Sequence, residues 1–290
     1  MKNLKTYRQL FESVGELTPE QIEWLDKCTD GTWKINPQTG LVDVDGDFNC
    51  SEQDLTDFKG IRFGVVSGYF YCSNNQLISL EGAPQKVGED FYCRYNQLTS
   101  LVGAPQEVGA NFNCEDNQLI SLEGAPQRVG HDFYCSDNQL TSLEGAPQRV
   151  GRGFSCNNNQ LTSLEGAPQE VGERFLCEGN NLTSLEGAPQ EVGGSFNCDR
   201  NQLTSLEGAP QKVGGGFYCE KNPVSEETLK SIFSLTKEGN SYLQAVETLW
   251  NEIPLDDQAL LYRPEFEWVS PEFGKKLDVI KAYAGFKGMI

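Results

Sequence analysis

Val87-Gly88-Glu89-Asp90-Phe91-Tyr92-Cys93-Arg94-Tyr95-Asn96-Gln97-Leu98-Thr99-Ser100-Leu101-Val102-Gly103-Ala104-Pro105-Gln106-Glu107 is followed, from Val108 onward, by the same pattern again. The cysteines set the phase. They fall at Cys50, Cys72, Cys93, Cys114, Cys135, Cys156, Cys177, Cys198 and Cys219, a first step of 22 residues and then steps of 21. The valines keep the same step at Val87, Val108, Val129, Val150, Val171, Val192 and Val213. Leucine pairs such as Leu77/Leu80, Leu98/Leu101 and Leu119/Leu122 do so too. A fixed period of this length is the signature of a solenoid in which each coil packs only on its neighbours.

Within a coil, Phe-x-Cys alternates with period two, so Phe91 and Cys93 are expected inward and Tyr92 outward. Stacked coils then align equivalent strands into a parallel sheet. Asn75, Asn96, Asn117, Asn138, Asn159, Asn180, Asn201 and Asn222 stand in the turn after the strand. There an amide can satisfy backbone groups that the inward bend leaves open. Gly82, Gly103 and their equivalents permit the next bend, and Ala-Pro sets an extended segment after it.

The pattern resembles the leucine-rich repeat, L-x-x-L-x-L-x-x-N-x-L-x-x-L, with Val, Phe and Cys in the first three apolar slots. The resemblance covers residues 41–222, about nine coils. Two features depart from it: Cys in the third slot, and G-A-P-Q where longer repeats carry a convex helix. Gly and Pro in so short a span oppose a helix, so the convex side should be extended, as in short-repeat leucine-rich effectors of pathogenic bacteria. In general character the chain also resembles small repeat proteins of bacteria and their tailed phages. The resemblance implies a leucine-rich-repeat-like parallel β coil, a repeat solenoid, with helical caps at both ends.

Those caps are expected because a solenoid must cover its apolar ends, and all four tryptophans (Trp24, Trp33, Trp250, Trp268) lie outside the clear repeats. Residues 1–40 read as a helical N-terminal cap. Thr18-Pro19-Glu20-Gln21 is a capping box opening a helix over about 19–28, with Ile22, Trp24 and Leu25 inward. An amphipathic helix near 4–14 precedes it. The coil at Cys50 is degenerate, with Gln53 in the place of the Asn and Phe58 in that of the second Leu. Residues 223–290 read as a helical C-terminal cap or small domain, with helices near 241–252 and 271–284.

The 23 Lys+Arg against 42 Asp+Glu leave a net charge of −19. That balance disfavours nucleic acid and anionic membranes as partners. The opening residues lack the apolar run of a signal peptide, and no stretch approaches the roughly eighteen apolar residues of a membrane span. The expected compartment is the cytoplasm. With a single histidine, His131, mechanisms needing two imidazoles are excluded. The periodic thiols lack CxxC or His spacing for zinc and are expected buried and reduced, as small apolar fillers.

Asp43-Val44-Asp45-Gly46-Asp47 echoes a calcium loop, but its glycine is misplaced and Asp54 stands where Glu is required; a degenerate strand is the better reading. Asn181-Leu182-Thr183 is a glycosylation sequon only in a secreted chain. Glu81, Glu123, Glu144, Glu165, Glu186 and Glu207 form a ladder interrupted by Val102, a solvated edge. After residue 219 there is neither Cys nor His, so the nucleophile of the ubiquitin-ligase domains attached to some bacterial leucine-rich effectors is missing. No catalytic residue, metal site or cofactor is expected.

Binding remains. Inward positions barely change between coils, whereas outward ones vary, which suits a recognition face on the concave strands. The candidate partner-binding residues are Tyr71, Asp90, Tyr92, Arg94, Tyr95, Asn113, Glu115 and Tyr134, centred on an aromatic and Arg group of the kind enriched in interface hot spots. The expected function is a non-enzymatic protein-binding module with a protein partner. The alternatives are a structural or assembly component using the solenoid as a spacer, and an effector with an activity in the C-terminal segment.

Overall fold

The computed structural model describes residues 17–203, 208–210, 212–219 and 221–222. The expected helices near 4–14, 241–252 and 271–284, and Glu207 of the acidic ladder, lie outside the described residues.

Helix α1, Pro19–Cys28, begins as the sequence indicates. The Thr18 hydroxyl accepts the Gln21 N–H at 3.2 Å and the Gln21 side chain accepts the Thr18 N–H at 2.9 Å, with Pro19 in the first turn. Trp24, Leu25 and Cys28 are buried, but Ile22 is 39% exposed, not inward as expected. At 3.6 residues per turn Ile22 sits about 160° from Trp24 around the axis, so one face cannot bury both.

The N-terminal cap also contains a strand that helical expectation did not include. Strand β1, Thr29–Ile35, pairs antiparallel with β2, Val42–Asn49, and places Gly31 opposite Gly46. Both have positive φ, and a Cβ on either would meet the facing carbonyl at 2.1–2.2 Å, so neither position tolerates a side chain.

From β2 onward the pairing is parallel. Strands β3, Phe63–Val66, and β4, Phe70–Tyr71, stack on β2. Each later coil contributes one x-Val strand and one Phe-x strand of two residues. Phe48, Phe70, Phe91, Phe112, Phe133, Phe154, Phe175, Phe196 and Phe217 stand in register, one per coil. A second row of parallel bridges runs at the valines, just after each G-A-P-Q stretch, and among the described residues that stretch holds no helix.

The core is a set of ladders. Successive phenylalanine rings stack with centroids 5.1–5.6 Å apart and planes within 21°. The Leu, Val and Cys rows around them are buried. Each fully buried Phe, Leu or Val contributes about 1.5–3 kcal/mol. All ten cysteines are free and buried. Thiols such as Cys93 and Cys135 donate to the carbonyls of Asn113 and Ser155 in the next coil, at 3.4 and 3.2 Å. Burial pushes the Cys72, Cys114, Cys135, Cys177 and Cys198 pKa values well above the ordinary thiol range.

The asparagines bind coil to coil. Asn96 Nδ2 donates to the carbonyls of Cys72, Cys93 and Arg94 at 3.0–3.3 Å, while its Oδ1 accepts the Leu77 N–H at 3.0 Å. Asn117, Asn138, Asn159, Asn180 and Asn201 repeat this arrangement. In the degenerate coil Gln53 does something else: it accepts the Trp24 indole N–H at 2.8 Å and donates to Cys28 Sγ at 3.2 Å, tying the cap to the stack. Phe58 is buried in the second leucine's place, as expected. Trp24 lies edge-on to Phe48 at 5.3 Å and covers the first rung.

Asp43, Asp45 and Asp47 lie in β2 and not in an ion-binding loop. Asp43 Oδ1 accepts the Val65 N–H, Asp47 Oδ1 the Tyr69 N–H, and Asp45 Oδ1 the Ser67 hydroxyl, at 3.0–3.2 Å.

Candidate partner-binding face

The residue just before each Phe, the residue before each Cys and the two after it form four outward rows running across the coils. The in-plane stacking of the coils brings side chains 21 or 22 residues apart into contact. Tyr71 and Tyr92 are strand partners. Their rings stack at 4.7 Å and 9°, and Tyr69 stacks on Tyr71 at 4.1 Å and 16°. The Tyr71 hydroxyl donates to Asp90 Oδ2 at 3.1 Å.

Asp90 also has a structural task. Its Oδ1 accepts the backbone N–H and the side-chain N–H of Asn111, each at 2.9 Å. Asn111 Oδ1 in turn accepts the Asp132 N–H, and Asp132 Oδ1 the Gly153 N–H. Where the residue before Phe is Asp or Asn, its side chain satisfies the amide one coil later, which explains the Asp and Asn found there.

Farther along, Asn113 is buried and clamped to Glu115: its Nδ2 donates to Glu115 Oε2 at 3.0 Å and its Oδ1 accepts the Glu115 N–H at 2.9 Å. Tyr134 follows one strand later, half-buried. Arg94 does not join the tyrosine stack. Its guanidinium lies 5.6 Å from the ring of Tyr95, the next residue. Tyr95 is 48% exposed and has φ 54°. Its position, two after each Cys, is left-handed in every described coil; Asn74, Asp116, Asp137, Asn158 and Gly179 accept this conformation easily, whereas Glu52, Arg200 and Lys221, like Tyr95, accept it less readily.

Of the expected set, Tyr71, Asp90 and Tyr92 are therefore in direct contact. Asn113, Glu115 and Tyr134 continue the face, and Arg94 with Tyr95 forms its shoulder. The expectation missed Tyr69, Asn111 and Asp132. Their signal was the residue before each Phe, an outward row that alternates Asp, Tyr, Asp, Asn, Asp from Asp47 to Asp132.

The electrostatics of the face are acidic. Burial, then the Asp90 charge, raises the pKa of Tyr71 and of Tyr92. Burial, then Asp132, raises that of Tyr134. Burial raises the Glu115 carboxyl above its ordinary value, against the lowering effect of its hydrogen bond from Asn113.

A concavity of about 1170 Å³ runs along the x-Val strands. Its charged rim is already paired within the chain: Lys86 with Glu107 at 2.9 Å, Arg149 with Glu170, and Lys212 with Glu191 at 3.0 Å. Among the described residues no group of three or more His, Cys, Asp or Glu side chains is arranged to hold a metal ion, and no helix is long and apolar enough to cross a membrane.

No family model matches the chain, and no curated protein does. Among solved structures, YopM from Yersinia enterocolitica WA-314 is similar at a TM-score of 0.37 and 16% identity, over 77% of this chain and 60% of that one. The chain thus spans less than two thirds of the YopM structure. The 21-residue period and the parallel register make this chain a leucine-rich-repeat-like solenoid.

Proposed function

We propose that the protein is a non-enzymatic binding module that holds a protein partner on the outward face of its Phe strands, with Tyr71, Asp90, Tyr92, Arg94, Tyr95, Asn113, Glu115 and Tyr134 in contact with it. The observation that carries this reading is the Tyr69–Tyr71–Tyr92 stack. Three rings are pre-ordered on an outward sheet face, with one hydroxyl already oriented by Asp90. Rigid tyrosines offer large contact area at low entropic cost. Tyr95 adds to the case, because an exposed aromatic in a left-handed position costs stability without serving the core. Ten free thiols suit a reducing compartment, and the cytoplasm is the proposed location.

The test is quantitative capture of proteins from a host lysate by the full chain, by Tyr71→Ala with Tyr92→Ala, and by a chain lacking 223–290. A partner lost on the tyrosine substitutions and kept on the deletion supports recognition by this face. A partner lost only on the deletion overturns it in favour of an assembly role with the solenoid as spacer.

A further inference from the structure

Between Tyr92 and Tyr134 the row of outward aromatics is interrupted by one short residue. Tyr92, Asn113 and Tyr134 are consecutive strand partners, so the two tyrosines are separated by two strand spacings, roughly 9.6 Å. A cation midway between them lies about 4.8 Å from each ring, within the roughly 6 Å at which an aromatic face attracts a cation. The interval therefore has room for one cationic side chain. Asn113 forms the floor, held down by its two hydrogen bonds to Glu115.

Carboxylates border this interval on both sides. Asp90 and Asp132, joined through Asn111, stand along the edge before the strand. Glu115 stands along the edge after it, with Asp116 and Asp137 beyond. In the outward rows from Asp47 to Asp137 the only Lys or Arg is Arg94, and it lies over Tyr95. Arg174, two coils on in the same row as Asp132, approaches that carboxylate at 3.8 Å.

We infer that this interval is a slot for an arginine side chain of the protein partner, its guanidinium lying between the Tyr92 and Tyr134 rings and paired with Glu115 and Asp90. A guanidinium is planar, stacks on aromatic faces and pairs with carboxylates through a fixed fork of donors, whereas an ammonium meets only the charge. A neutral planar group meets only the rings. The inference rests on the proposed binding face and narrows it to a partner segment bearing arginine.

The probe is a fluorescent arginine–glycine peptide, with lysine–glycine and citrulline–glycine counterparts, titrated by anisotropy into the full-length protein at low salt. The arginine peptide is expected to bind about five-fold tighter than the lysine peptide, and the citrulline peptide more weakly than either. Tyr134→Ala and Glu115→Gln should each weaken arginine binding about five-fold. Tyr134→Phe keeps the wall and should preserve binding. Glu144→Gln, which removes the same charge from another part of the surface, should leave it unchanged. Equal affinity for the arginine and lysine peptides, or equal losses from Glu144→Gln and Glu115→Gln, would overturn the slot. Lysate capture separates this failure from failure of the face. A partner that is lost with Tyr71→Ala but retained by Tyr134→Ala and Glu115→Gln removes the slot and leaves the face standing.

Discussion

The side-chain oxygen of Asn138 accepts the backbone N–H of Leu119, nineteen residues earlier, at 3.0 Å. The Asn138 amide nitrogen meanwhile donates to the carbonyls of Cys114, Cys135 and Ser136 at 3.1–3.3 Å. One buried side chain thus satisfies four backbone groups from two coils. Asn138→Ala should destabilise the protein by about 2–4 kcal/mol, because each buried group left unpaired costs about 1–3 kcal/mol. Asn138→Asp should be no better, since an ionised carboxylate cannot donate to three carbonyls. Urea unfolding measures both, and a change under 1 kcal/mol (about the size of a single net hydrogen bond) would mean that water replaces the amide.

The buried thiols predict a loss of stability at alkaline pH. Their folded pKa values are raised above the ordinary 9.0 by burial, so the folded state holds protons that the unfolded chain releases. Their stabilisation is complete below about pH 9 and falls as pH rises from there toward the folded values. The slope is about 1.4 kcal/mol per pH unit for each thiol concerned. Melting temperature should drop steeply above pH 9, and less steeply in Cys156→Ala with Cys177→Ala. Identical pH profiles for the two proteins would count against the mechanism. Native protein should also react slowly with a thiol reagent and take up about ten labels only when denatured.

Tyr95→Asn should raise the melting temperature, by a stabilisation of about 0.5–1 kcal/mol, because Asn tolerates φ near +54° better than Tyr. The same substitution should weaken partner capture. Stabilisation with full capture would show that the ring is not part of the contact.

The N-terminal cap should be indispensable. Trp24 is buried against Phe48 and Phe63, and its indole N–H bonds to Gln53. Trp24→Ala should cost about 3–5 kcal/mol. Deleting residues 1–40 removes β1 as well and opens the edge of β2, so the shortened chain should aggregate or melt lower. Size-exclusion chromatography and melting curves decide it, and an unaggregated truncation with the original melting temperature would reduce the segment to a tail.

Charge should act unevenly on the stack. Residues 41–222 carry 11 Lys+Arg and 25 Asp+Glu. The x-Val row neutralises part of its own charge through Lys86–Glu107, Arg149–Glu170 and Lys212–Glu191. Glu123, Glu144 and Glu165 are exposed and of like sign on successive coils. Raising ionic strength from very low values to where the Debye length is about 8 Å should therefore raise the melting temperature. Glu144→Gln with Glu165→Gln should give part of that gain at low salt, a few tenths of a kcal/mol. Arg149→Gln should do the reverse by leaving Glu170 without its partner. Indifference to salt would mean that the acidic edge is already relaxed.

The 21-residue period by itself determined the solenoid, the inward Phe, Cys and Leu rows and the asparagine turns, because each is a pattern that one coil imposes on the next, and the run Thr18-Pro19-Glu20-Gln21 determined the capping box. The period also marked the outward residues as variable. It did not determine β1, whose pairing depends on Gly31 meeting Gly46 across a turn, nor the exposure of Ile22, which follows from helical phase against the first rung. The stacking of coils decided which outward residues of different coils touch. Tyr71 stacks on Tyr92 and reaches Asp90 because parallel register places strand partners 21 residues apart about 4.8 Å from one another. A side chain's partner on such a face is set by the coil beside it and by the rotamer it adopts there, and neither is written in its own stretch of sequence.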